Sequence, residues 1–63
     1  MFKVVRVGKA IHIRDDLTGH LLRYGHENDR EGLGFGGRIT WSDTATGIER
    51  ARMYRDLLNR GAP

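Results

Sequence analysis

Sixty-three residues without a cysteine leave packing as the only means of holding a fold together. A chain of this length buries only about 60% of the surface that its unfolded form exposes, so it builds one domain around one core. Neither a disulfide nor a thiolate metal site reinforces it, and association with another chain, a homodimer first of all, is the remaining source of stability. The missing cysteines also fit a cytoplasmic protein better than a secreted one, because secreted domains this small are mostly disulfide-rich. The opening MFKVVRVGKAIHIR has no unbroken apolar stretch, and nowhere does the chain approach the ~18 apolar residues of a membrane span. No membrane partner is expected.

The hydrophobic pattern predicts an α+β fold, a small antiparallel sheet of three to four strands with one C-terminal helix packed on one face. Phe2 to Val7 and Ala10 to Arg14 are rich in Val and Ile, and Gly8-Lys9 between them suits a two-residue turn with glycine first, giving a hairpin over 2–14. That turn sets Val7 against Ala10, Arg6 against Ile11, Val5 against His12 and Val4 against Ile13. One face then carries Phe2, Val4, Ile11 and Ile13. The other carries Val5, Val7 and Ala10 with Lys3, His12 and Arg14 at its edge. Asp16-Leu17-Thr18-Gly19 reads as a type I turn leading into a third strand over about 20–24. A glycine-rich loop follows over 25–37, then a strand over 38–42 with Ile39 and Trp41 on one side. The helix spans about 44–60, capped by Asp43 or Thr44, or by the Thr46-to-Glu49 capping-box spacing. Its apolar stripe is Ile48, Ala51, Tyr54 and Leu58 with Leu57 at the edge, and Gly61-Ala62-Pro63 supplies a stop.

Charge is segregated along the chain. Residues 1 to 14 hold four basic side chains and no acid, residues 15 to 49 hold three arginines against seven acids, and residues 50 to 60 hold four arginines against Asp56. Such blocks either pair with one another or build a basic surface where the two ends of the chain meet.

The stretch Gly32-Leu33-Gly34-Phe35-Gly36-Gly37 has the spacing G-x-G-x-x-G, but a dinucleotide loop needs a strand before it and a helix after it. Here the acidic HENDRE precedes it and the RITWS strand follows. A kinase-type glycine loop is excluded by the missing lysine, catalytic-loop and metal-binding motifs. No nucleotide or other cofactor is expected, and the glycines are taken to hold Leu33 and Phe35 on a mobile backbone. His12, His20 and His26 with Asp15, Asp16 or Glu27 lack the i,i+4 helical spacing that brings two ligands to one face, so no metal is expected. Ser42 has no nucleophile elbow around it, and the Asp15-Asp16 pair has no pocket. The chain reads as a non-enzyme.

The strand order followed by one final helix, with RITW running into TATGIERARMYRDLL, resembles the small arm-site DNA-binding domains of phage and transposon integrases over about half the chain. That resemblance implies basic and aromatic residues projecting from the exposed sheet face, to which Lys3, Lys9, Arg14 and Arg38 answer. In size and in its arginine-rich, glycine-rich, cysteine-free composition the chain is similar to small accessory proteins of actinobacterial phages. Some of those bind and disable host proteins, which implies a host cytoplasm as the location. Two functions follow as expectations. The first is a protein-binding module using Val5, Val7 and Ala10, the Leu33/Phe35 loop, or Met53 among the helix charges. The alternative is nucleic-acid binding through Lys3, Lys9, Arg14 and Arg38 of the sheet with Arg50, Arg52 and Arg55 of the helix.

Overall fold

Phe2–Val7 (β1) and Ala10–Asp15 (β2) pair antiparallel in the computed structural model, which describes residues 1–29 and 32–61. Gly8 adopts φ 62° and, with Lys9, closes the hairpin. Val7 lies opposite Ala10 and Val4 opposite Ile13, the register that a glycine-first two-residue turn dictates. Trp41–Ser42 (β3) pairs antiparallel with the other edge of β2, and the three-stranded sheet has the order β1-β2-β3. Ala45–Gly61 (α1) packs across one face and touches all three strands.

Two expected strands are cut short. Over 20–24 only isolated bridges form, Arg14 with Leu21 and Arg23 with Arg38, and the strand expected over 38–42 is reduced to Trp41–Ser42. Both segments compete for one edge of β2. β3 holds it at Ala10 and Ile11, while the Leu22 amide donates to the Ile13 carbonyl at 2.7 Å farther along. The turn between them is also shifted by one residue from the expected position. Asp15, not Asp16, organises it: the Asp15 carboxylate accepts the Leu17 amide at 3.0 Å, and Gly19, at φ 76°, donates to the Asp15 carbonyl at 2.7 Å.

The covered face follows from the ladder. Trp41 opposes Ile11, so the two share a face, and the Trp41 ring meets Tyr54 of α1 at 5.6 Å. The helix therefore lies over Val4, Ile11 and Ile13, and with Leu22, Leu33 and Ala51 these isoleucines make up the buried apolar core. Ile48, Tyr54 and Leu58 are half-buried along the expected stripe, while Leu57 stays exposed at its edge.

Thr44 caps the helix, its hydroxyl accepting the Gly47 amide at 3.1 Å. The Thr46-to-Glu49 box has no role because Thr46 already lies inside the first turn. The stop at Ala62-Pro63 lies outside the described residues, as do Arg30 and Glu31 of the acidic stretch.

Backbone contacts pin both ends of the helix to the sheet. At the first turn Gly47 sits so near the Ser42 carbonyl that a Cβ there would overlap the oxygen. At the last turn the Asn59 side chain accepts the Phe2 amide at 2.8 Å and donates to the Phe2 carbonyl at 3.1 Å, covering the outer edge of β1 where it begins.

Helix propensity alone would make Gly47→Ala stabilising by about 1 kcal/mol. The overlap with Ser42 reverses the sign, and overpacking of this kind costs about 1–3 kcal/mol. Thermal unfolding followed by circular dichroism should show a melting temperature lowered by roughly 5 °C or more for Gly47→Ala. Gly61→Ala, where a Cβ meets open space, should leave it unchanged or slightly raised.

Candidate binding face

The sheet face turned away from α1 carries, by strand alternation, Lys3, Val5, Val7, Ala10, His12 and Arg14 of the hairpin, and Ser42 of β3 opposite Ala10. The Arg14–Leu21 bridge puts Leu21 on this face and Leu22 on the helix face, where it is fully buried. Arg23 then returns to the open side, and its bridge partner Arg38 projects beside it. The helix α1 packs on the opposite face, while His12 on this one is only 6% exposed. Every charged residue that the ladder assigns to it is basic. Arg23 is missing from the sequence-based set, although its alternation with Leu22 already implied an outward position.

Electrostatics divide these cations into two groups. Asp16, at the end of the hairpin, pairs with Lys3 at 3.0 Å and Arg14 at 3.1 Å, and the Lys3 hydrogen bond holds its carboxyl below the usual carboxylate range. Arg6 pairs with Asp43 at 2.9 Å and Arg55 with Asp56 at 2.9 Å, each near the surface where such pairs contribute little. Arg23 and Arg38 are exposed and have no carboxylate within 4 Å among the described residues. Arg50 and Arg52 are exposed on α1, across the molecule from the open face. The expected nucleic-acid set is thus split: Lys3, Arg14 and Arg38 share the open face, Lys9 sits in the exposed turn at its end, and Arg50 and Arg52 lie elsewhere.

The expected protein-binding set is split further. Val5 and Ala10 are half-buried and Val7 is 42% exposed on the open face. Leu33, only 5% exposed, belongs to the core and lies apart from Val5, Val7 and Ala10. Phe35 is 72% exposed, with one side of its ring close against Gly25, where a Cβ would come within 2.8 Å of the ring carbons. Met53 is exposed on the helix.

The glycine loop is tied to its neighbours. The Arg23 amide donates to the Leu33 carbonyl at 3.0 Å, the Tyr24 amide to Gly37 at 2.9 Å, and the amides of Phe35 and Gly36 both donate to the Tyr24 carbonyl. Gly34 needs its φ of 116° and its lack of Cβ, since a side chain there would strike the Arg23 carbonyl. A phosphate cradle requires free amides. Those of Gly32 and Gly34 donate to Asp29 and those of Phe35 and Gly36 to Tyr24, so four of the six are already engaged. The stretch serves as a clamp on the Arg23–Tyr24 backbone in place of the mobile approach that glycine content alone suggests.

A second surface lies on the helix side. Phe2, Leu33, Leu57 and Leu58 line an open groove of about 710 Å³, flanked by the exposed side chains of Met1 and Leu17. Asp15 and Glu27 also border it. Sequence reasoning placed no site here because its members come from four segments. Among the described residues no group of three His, Asp or Glu side chains converges as a metal site requires, and no helix is long and apolar enough to cross a membrane.

Comparison of the chain with protein-family models, with curated proteins and with solved structures returned no match. The functional reading rests on the geometry of these surfaces.

His12, on the open face opposite Val5, is 6% exposed, and its Nδ1 has no hydrogen-bond partner. Burial first, and the nearby Arg38 charge second, hold its imidazole below the ordinary histidine range. In the unfolded chain His12 takes up a proton near pH ~6.5, whereas in the fold it remains neutral to lower pH. The unfolded state therefore binds more protons in this window, and stability falls as pH drops below about 6.5. Urea midpoints measured between pH 7.5 and 5 should fall on acidification, and the fall should be smaller in His12→Phe. The His12 ring, followed by NMR, should titrate below the ordinary histidine midpoint.

Proposed function

We propose that the protein is a non-catalytic nucleic-acid-binding module that applies its open sheet face to a phosphate backbone. The observation that supports this most is the sorting of charge by the fold: the ladder gathers Lys3, Arg14, Arg23 and Arg38 on the sheet face opposite the helix, and among the described residues Asp16 is the acid that forms ion pairs with members of this set. An acidic partner is the complement of such a face. The six-residue strands β1 and β2 form a two-stranded ribbon, an element that the ~12 Å major groove of B-form DNA admits. Sheets and ribbons are an established means of groove reading.

Protein binding, the first expectation from sequence, ranks second because its expected residues do not assemble: Leu33 is internal, and Met53 lies across the molecule from Val5, Val7 and Ala10. A different observation keeps it as an alternative, the apolar groove at Phe2, Leu57 and Leu58. A second copy of the chain is the occupant to test there, since so small a core gains most from burying that surface.

Fluorescence anisotropy with a labelled DNA duplex tests the first reading. Four phosphate contacts imply a loss of affinity of roughly a hundredfold between 50 and 200 mM salt. Arg14→Gln should weaken binding and Arg52→Gln, on the far side, should not. No binding at 50 mM salt, or equal losses from the two variants, overturns it. A dimer in sedimentation that Leu57→Asp converts to a monomer would move the conclusion to the groove.

A further inference from the structure

Arg23 and Arg38 are partners in a cross-strand bridge, so their side chains leave the backbone side by side in the same direction. Like charges directly opposed across a ladder are destabilising. Lys3, Arg6, Arg14 and Arg55 each have a carboxylate within 4 Å. The two opposed arginines have none among the described residues. Together with His20, Gly32 and Gly34 they line a polar hollow of about 330 Å³. The glycines matter to its shape. They add no side chains to the hollow, and both their amides donate to Asp29, that of Gly32 to its carboxylate. Near Arg38, although not in the hollow itself, His12 is more than nine-tenths buried and its Nδ1 has no hydrogen-bond partner. A buried polar atom without a partner is uncommon in a finished structure.

We infer that the Arg23–Arg38 pair is a binding site for a single phosphate-type oxyanion, held between two guanidinium groups. The planar fork of arginine matches tetrahedral oxyanions with two parallel hydrogen bonds, and an anion between the pair turns their mutual repulsion into attraction for a shared ligand. The inference deepens the nucleic-acid reading by naming where one backbone phosphate sits, yet the site stands equally for a free phosphate or a phosphorylated small molecule.

The test uses the full chain and inorganic phosphate. Melting temperatures are compared in phosphate and in chloride at matched ionic strength, for the native protein and for Arg23→Gln, Arg38→Gln and Arg23→Lys. A site of millimolar affinity raises the native melting temperature by roughly 10 °C at tens of millimolar phosphate. Phosphate also stabilises proteins generally by exclusion from their surface, so the decisive quantity is the increment lost in the variants. Both glutamine variants should lose most of it, and Arg23→Lys, which keeps the charge but not the fork, should lose part. In chloride alone the glutamine variants should be at least as stable as the native chain, because removing one arginine relieves the repulsion. The side-chain Nε signals of Arg23 and Arg38 should shift on phosphate addition in ¹⁵N NMR spectra. An equal rise in all four proteins with unmoved Nε signals overturns the inference. A DNA arm separates it from the broader reading. Phosphate binding without duplex binding leaves this site intact and removes the nucleic-acid function. Duplex binding that Arg23→Gln leaves unchanged, with no phosphate response, does the reverse.

Discussion

The seating of α1 against the sheet governs the rest of this molecule, and it is fixed by backbone contacts at both ends of the helix. Gly47 brings the first turn onto the carbonyl of Ser42, and Asn59 at the last turn takes both polar groups of Phe2. Between those points the stripe of Ile48, Ala51, Tyr54 and Leu58 covers Val4, Ile11 and Ile13. A core this small has no second helix to spare, so the other face of the sheet carries none. The binding face is therefore a direct consequence of having one helix.

That asymmetry gives the charge pattern its meaning. Exposed ion pairs such as Arg6–Asp43 and Arg55–Asp56 do little for stability, but they decide which cations remain available. Among the described acids of the central block, Asp43 pairs with Arg6 and Asp29 organises the glycine stretch. On the open side Asp16 answers Lys3 and Arg14 together. The positive charge gathered on that face matters more to a partner than the net charge of the whole chain.

Much of the fold was legible in the residues themselves. The Gly8-Lys9 turn set the hairpin register, and with it the identity of both sheet faces, because a two-residue loop allows only one pairing of the strands it joins. The helix and its buried stripe were legible from a 3.6-residue period. The third strand was not. Residues 20–24 and 38–42 each have strand character, and local pattern carries no information about two segments contending for one edge of β2. Nor did it reveal that Gly47 inside the helix was required, since the reason is a carbonyl five residues back that comes close only once the helix folds onto the sheet. Leu33 and Phe35, two residues apart on the same glycine loop, went opposite ways, one into the core and one to solvent.

By itself, then, the sequence determined an α+β domain with one helix, a hairpin of known register and a basic N-terminal block, because turn chemistry and periodicity are local properties. Only the tertiary structure decided which cations meet. Lys3, Arg14, Arg23 and Arg38 come from three separate segments, and the arginines at 50 and 52, equally basic in the sequence, are carried to the opposite side by the face on which the helix packs. The glycine stretch likewise acquired its role from its partners: hydrogen bonds to Tyr24 and Asp29 occupy four of the amides that a phosphate would have needed, and the stretch holds in place the segment that presents Arg23.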